Sequence, residues 1–234
     1  MKLLKVLALL LVGAALYQGV QAVARSRSLQ LDKFEVEGNT EARISTETVI
    51  EATGAEVGDQ LLGISTQKVS GELEKLPWVA EATVERILPS TLRISIDEHE
   101  PSFVIQTGQG PFLADGRGLV LQEGSEDLIN VVEMPLRPIR PGTRISTPEF
   151  SHSSRILRSL PAEIRSSVTR IRASSIDQIQ FETGTGPLIY YGAAEKVDEK
   201  NFAVQTLLER TKGASPAVAV IDVRVPARPV TRPR

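Results

Sequence analysis

The 234-residue chain has no cysteine and only two histidines, His99 and His152. Without thiols it can form no disulfide, no thiol nucleophile, no iron–sulfur cluster and no cysteine-ligated zinc site. Two imidazoles also exclude a multi-histidine metal site. A net charge of one sign is missing as well: 29 acidic residues stand against 27 basic ones. A nucleic-acid binder needs a basic excess for its phosphate contacts, so that class is disfavoured. Tryptophan occurs once, at Trp78; beside a strand start it reads as a core residue, with a partner anchor as the alternative. The Gly-x-Ser-x-Gly elbow of a serine hydrolase is absent. After residue 24 no apolar run is long enough to span a bilayer.

What is present is a globular composition, 41% apolar and 24% charged, in a length that suits one large domain or two small ones. The near-neutral total conceals segregation. Residues 1–30 carry +4, residues 31–100 carry −9, and residues 135–172 hold eight arginines against two acids.

Lys2 and Lys5 precede an apolar run from Val6 through Tyr17 that weakens towards Ala24, and Arg25 and Arg27 close it. Two readings stand. A basic start, a short apolar stretch and the small-x-small site Ala22-Val23-Ala24 describe a secretory signal peptide. Alternatively, Leu3 to Ala24 gives 22 residues, and about 20 suffice for a transmembrane helix. Either way the lysines stay cytoplasmic and the bulk of the chain is exported.

The first exported module covers residues 29–100. Phe34 and Val36 alternate with charged residues, which predicts a strand over 31–37. Ser45 is placed as a helix N-cap, with Ile44 before it and Val49 four positions later in the spacing of a hydrophobic staple. The helix stops at Gly54. Residues 55–63 read as a loop. Ser65 repeats the capping device before a helix faced by Val69, Leu73 and Leu76 and ended by Pro77. Ala80, Ala82 and Val84 alternate in a second strand, and Leu92, Ile94 and Ile96 in a third. Strand-helix-helix-strand-strand packs with both helices on one side of a three-stranded sheet.

The second module begins at Pro101. Apolar segments flank Asp115-Gly116-Arg117-Gly118, a hairpin signal. Leu128 to Val132 reads as a strand and 134–144, with three prolines in seven residues, as loop. Thr147-Pro148 fits an N-cap and first turn; Phe150, Leu157 and Leu160 share the face of the helix that follows. Strands are predicted at 168–172, 178–182 and 188–191, a helix through about Arg210, and a final strand over 218–225 in which Ile221, Val223 and Val225 face one way and Asp222 and Arg224 the other. Residues 227–234, rich in proline and arginine, read as a disordered tail.

Candidate catalytic groups are few. Asp97-Glu98-His99-Glu100 reads as a hinge between modules, Ser151-His152-Ser153-Ser154 as the exposed side of a surface helix, and Gly184-x-Gly186 as a hairpin turn. The arginines of 137–172 read as a solvated basic face, the alternative being a site for anionic lipid headgroups or cell-wall polymer. The chain is therefore expected to be no enzyme, with no cofactor and no metal, and to work through surfaces.

The strings FEVEGN (34–39), VGDQLLGIS (57–65) and LPWVAEATVERILPSTLRISIDEHEP (76–101) resemble a POTRA domain, in the version found in the bacterial cell-division family FtsQ/DivIB. LADGRGLVL (113–121) and IDVRVP (221–226) resemble the β domain that follows POTRA in that family. The resemblance implies an α+β chain. Its parts are a cytoplasmic tail at 1–5, a transmembrane signal anchor at 6–24, a POTRA domain at 29–100, and a β domain with an antiparallel sheet at 101–226. It implies a single-pass, type II protein of the cytoplasmic membrane with its bulk outside the cytoplasm, placed at the division septum. It implies a scaffold whose POTRA module meets upstream division proteins. The β domain would bind FtsB-like and FtsL-like coiled-coil proteins by strand addition during septal peptidoglycan synthesis. The partner contacts it implies are Ile221, Asp222, Val223, Arg224 and Val225, with Tyr190 and Tyr191. Arg224 matches the family arginine that faces an acid of the FtsB-like partner. Val225 stands where an aromatic often follows that arginine. The rival reading is a secreted POTRA-type chaperone or transport module, cleaved at Ala24.

Overall fold

In the computed structural model, residues 13–14, 29–38, 43–184, 186–213 and 217–233 are described. The segments read as cytoplasmic tail and transmembrane anchor, 1–5 and 6–24, lie outside these residues apart from Gly13 and Ala14. No helix among the described residues is long and apolar enough to cross a membrane. The chain divides into two compact units, Met1–His99 and Glu100–Arg234.

The first unit runs β1 (Lys33–Glu37), α1 (Thr46–Thr53), α2 (Thr66–Leu73), β2 (Val79–Ile87) and β3 (Thr91–Glu98). Both capping predictions hold: the Ser45 hydroxyl accepts from the Thr48 N–H and that of Ser65 from the Lys68 N–H. Gly54 ends α1 in the left-handed region, φ 64°. The sheet order is β1-β3-β2, with β1 parallel and β2 antiparallel to the central β3. Leu92, Ile94 and Ile96 of β3 are buried. Trp78 is also buried, with the Arg43 guanidinium 5.0 Å from its ring centroid, so its core reading stands. Two local expectations change. The loop 55–63 contains a 3₁₀ turn, Leu61–Gly63, that drives Leu61 into the core. Ala80 is exposed, because a bulge between Val79 and Glu81 shifts the β2 alternation and puts Val79 and Ala82 inside instead.

The second unit contains β4 (Pro101–Thr107), β5 (Gly110–Asp115), β6 (Val120–Glu123), β7 (Ile129–Val132), α3 (Pro148–Ser159), α4 (Ala162–Ser167), β8 (Val168–Ala173), β9 (Ile179–Thr183), β10 (Leu188–Tyr190), α5 (Val197–Thr211), β11 (Val218–Asp222) and β12 (Val230–Pro233). They form one nine-stranded sheet in the order β12-β11-β10-β9-β8-β7-β4-β5-β6. The sheet is mixed rather than antiparallel: β4–β7, β7–β8 and β10–β11 pair parallel. The chain segments that carry α3 and α4, and then α5, form the crossovers that the β7–β8 and β10–β11 pairs require.

A single register row shows where the core sits. Phe112, Ile105, Val131, Ile171, Phe181, Ile189 and Ile221 follow one another across seven strands, and each is at most 3% exposed. Their common face joins one apolar cluster with Phe150, Ile156 and Leu157 of α3 and Val204 of α5. The two long helices are tied together by Asn201 Nδ2, which donates to the Ser159 carbonyl at 2.9 Å.

Four expectations for this unit are corrected. β4 was not foreseen as a strand. The six-residue α4 was not foreseen as a helix. Residues 151–154 are not an exposed face: Ser153 and Ser154 are buried, and the Ser154 hydroxyl donates to the Gly116 carbonyl at 3.1 Å. The tail 227–234 is not disordered over its described length, because Val230–Pro233 form β12, antiparallel to β11. Apart from these corrections, the arginines of 137–172 lie at the surface, with only Arg172 partly buried. Arg144 and Arg158 donate to the carbonyls of Arg117 and Gly116 at 3.1 and 3.2 Å, while Arg170 and Arg172 pair with Glu182.

Candidate interaction site at the C-terminal sheet edge

The seven residues that the resemblance implies as partner contacts lie near the β12 end of the large sheet. The final strand ends at Asp222, three residues earlier than predicted, and the chain turns through 223–229 before returning as β12. Pairing sets Val220 opposite Arg232, Ile221 opposite Thr231 and Asp222 opposite Val230. At this end of the sheet the terminal strand is therefore β12. The 218–225 segment is paired on both sides over β11.

This placement sorts the seven sequence-derived site residues. Ile221 and Val223 are fully buried. Tyr191 is too: its hydroxyl donates within the unit, at 2.9 Å from Asn201 Oδ1 and 3.2 Å from the Val197 carbonyl, and its ring meets Phe181 edge-on. Burial and the charge of Asp198 push the Tyr191 phenol above its ordinary pKa. These three build the sheet and offer no side chain to a partner. Val225 does not share their face; it is 60% exposed. Tyr190, Asp222 and Arg224 come together on the outer side of the sheet. Tyr190 is register-paired with Asp222, and the Arg224 guanidinium lies 5.5 Å from the Tyr190 ring centroid.

Asp222 grips Arg224 with both carboxylate oxygens. Its Oδ1 accepts from the Arg224 backbone N–H at 3.1 Å and from Nε at 3.0 Å, and its Oδ2 accepts from Nη2 at 2.6 Å. The side-chain hydrogen bond from Arg224 holds the Asp222 carboxyl below the ordinary aspartate value against the opposing effect of burial; the Arg232 charge acts in the same direction. Gly192 makes room for this arrangement. Its φ is 72°, and a Cβ there would lie 3.0 Å from Arg224 Cγ and 3.3 Å from the Asp177 carbonyl oxygen.

Around this polar knot lies exposed apolar surface. Phe202 of α5 is 72% exposed and Val230 of β12 51%. A shallow groove runs between α5 and the 226–229 turn, lined by Phe202, Ala203, Leu207, Pro226, Ala227 and Pro229. Phe202, Val230 and Arg232 were not foreseen as site residues. The β-branched pair Val230-Thr231 between Pro229 and Pro233 was the available signal, since proline is tolerated on edge strands.

A three-stranded unit with two helices is thus followed by a unit built on a nine-stranded mixed sheet that ends at β12. Residues 29–99, within the first unit, match the family described as POTRA domain, FtsQ-type. Over 185 residues the chain is 27% identical to the cell division protein FtsQ of Corynebacterium glutamicum, covering 78% of this chain and 80% of that protein. It is 26% identical over 191 residues to FtsQ of Streptomyces coelicolor, covering 78% and 71%. It is 31% identical over 169 residues to FtsQ of Mycobacterium tuberculosis, covering 70% and 51%. Similarity to proteins named cell division protein FtsQ thus extends over most of the chain, and the family match over its first unit.

Proposed function

We propose that this chain is a non-enzymatic scaffold of bacterial cell division, anchored in the cytoplasmic membrane by residues 6–24 with its two folded units outside. In this reading the POTRA unit meets upstream division proteins. The second unit takes up an FtsB-like partner, together with an FtsL-like one, at the septum while septal peptidoglycan is made. The observation that carries the reading is the β12 edge: backbone groups open to a further strand, flanked by exposed Phe202, Val225 and Val230 and by the Tyr190–Arg224–Asp222 knot. The seat of docking is accordingly β12 and its surroundings rather than the 218–225 segment itself. Similarity to proteins named cell division protein FtsQ supports the cellular process.

The test is Arg224→Glu. The Arg224 side chain is 54% exposed, so the fold should survive, while a glutamate beside Asp222 sets two carboxylates against each other in the middle of the site. Co-purification of the FtsB-like protein of the same organism should be lost, with an unchanged circular dichroism spectrum. Undiminished capture would remove the assignment. A fluorescent fusion should gather at midcell, and an intact mass from the membrane fraction should retain residues 1–24; loss of those residues would favour a secreted POTRA-type module.

A further inference from the structure

The arginines of the second unit fall into two groups. Arg170, Arg172 and Arg224 are matched by Glu182, Glu133 and Asp222. Arg117, Arg140, Arg144, Arg155 and Arg158 are exposed, and among the described residues none of them makes an ion pair.

The second group is gathered by the turn between β5 and β6. Arg144 Nη1 donates to the Arg117 carbonyl at 3.1 Å. Arg158 Nη1 donates to the Gly116 carbonyl at 3.2 Å and to the Ser154 hydroxyl at 2.7 Å. Two guanidinium groups are thus tied to the carbonyls of consecutive residues. The loop that carries Arg140 and Arg144 is laid along the same hairpin: the Ile145 N–H donates to the Gly118 carbonyl at 2.8 Å and the Val120 N–H to the Thr143 carbonyl at 2.9 Å. Arg155 stands one helical turn before Arg158 on α3. A neutral carbonyl orients a guanidinium without cancelling its charge. Against the five arginines stand two acids. Asp115 is buried, its Oδ1 accepting from the Arg117 and Leu119 N–H groups at 2.9 and 2.7 Å, and Glu149 of α3 pairs with none of them.

The make-up of the patch selects its occupant. A lipid surface is held by apolar insertion as well as by charge, and a protein partner by an apolar or aromatic centre. Among the described residues, none of the exposed large apolar side chains belongs to 115–119, 137–146 or 151–158. Guanidinium forks match phosphate oxygens, and their spread over three chain segments suits a chain of phosphates better than a single one. We infer that this cluster, at the end of the sheet opposite β12, is a binding surface for a phosphate-bearing polymer of the cell envelope. Arg144 and Arg158 are its oriented contacts, flanked by Arg117, Arg140 and Arg155. Access to such a polymer rests on the exported placement proposed above; the binding itself does not, and it is independent of strand docking at β12.

The experiment titrates the full chain, in neutral detergent, with poly(glycerol phosphate) across a salt series. Log K for the wild-type chain should fall linearly with log salt. Arg144→Gln with Arg158→Gln should weaken binding at least about tenfold at low salt and lower the slope by about 1.5, since each phosphate contact contributes about 0.7–0.9. Arg117→Gln with Arg155→Gln, whose side chains hold no part of the fold together, should weaken binding in the same way. Arg170→Gln with Arg172→Gln removes as much charge where acids already match it, and should bind as wild type does. Equal weakening by this last pair would reduce the effect to net charge and overturn the inference. Wild-type affinity in the two other double variants would overturn it, as would failure of the wild-type chain to bind the polymer. Binding to phosphatidylglycerol added to the micelles, without binding to the polymer, would overturn it in favour of a lipid surface.

Discussion

Replacing Gly192 with alanine should act at two levels at once. The residue sits at φ 72°, in the region that L side chains avoid. Placing a Cβ there costs about 1–2 kcal/mol through contact with the neighbouring backbone. In this position the new methyl also meets Arg224 Cγ at 3.0 Å. The arginine must therefore lift from the Tyr190 ring and loosen its grip on Asp222. A loss of about 1 kcal/mol lowers the melting temperature of a protein of 150–250 residues by roughly 2–4 °C. Gly54→Ala supplies the control: it has a comparable φ of 64°, but nothing lies within 4 Å of its added Cβ. Both variants should unfold a few degrees early in thermal scans. Only Gly192→Ala should also weaken capture of the FtsB-like partner. Equal capture by the two variants would refute the argument that Gly192 exists to seat Arg224. A Gly192→Ala protein as stable as wild type would refute the strain argument as well.

Ile221→Ala and Val225→Ala should separate sharply in stability, although the sequence alternation treats them alike. Ile221 is fully buried and Val225 is 60% exposed. Truncation should cost about 2–5 kcal/mol at the first and stay within about 0.5 kcal/mol at the second, measured by denaturant unfolding. The Asp222–Arg224 knot should give a pH signature. Asp222 has a folded pKa below its unfolded one, so its stabilisation is fully present above the unfolded value. It is lost as pH falls through the folded value. The stability gap between wild type and Asp222→Asn should therefore narrow as pH drops below the ordinary aspartate range; a gap that is flat or grows on acidification would contradict the assignment.

The POTRA unit was legible because its signals are local. Ser45 and Ser65 cap their helices with side-chain oxygens that any reader of helix starts would choose, and Leu92, Ile94 and Ile96 alternate cleanly. The bulge at Val79–Glu81 was not legible, since strict alternation cannot register an added residue. β4 escaped for the opposite reason. Phe103, Val104 and Ile105 are buried in succession, so the period-2 signal vanishes in the middle of the sheet. Ser153 and Ser154 read as outward-facing because hydroxyls usually are; Ser154 is instead buried by its bond to the Gly116 carbonyl. At the candidate site, the motif around Arg224 pointed to the right corner of the fold, but alternation carried past Asp222 placed Val225 on the wrong side. The prolines that made 227–234 look unstructured are, in the fold, the ends of the edge strand. What fixes that strand is pairing with β11, a contact that composition does not encode.

A partner strand added at β12 would close the Thr231 amide, the one N–H of Val230–Pro233 that points away from β11. Hydrogen exchange of that amide is measured with and without the exported segment of the FtsB-like protein. Strand addition predicts slowed exchange at Thr231 on binding, and little change at Val230, Arg232 and Ile221, whose amides are already paired. A complex that forms while the Thr231 amide exchanges as fast as in the free chain would contradict it.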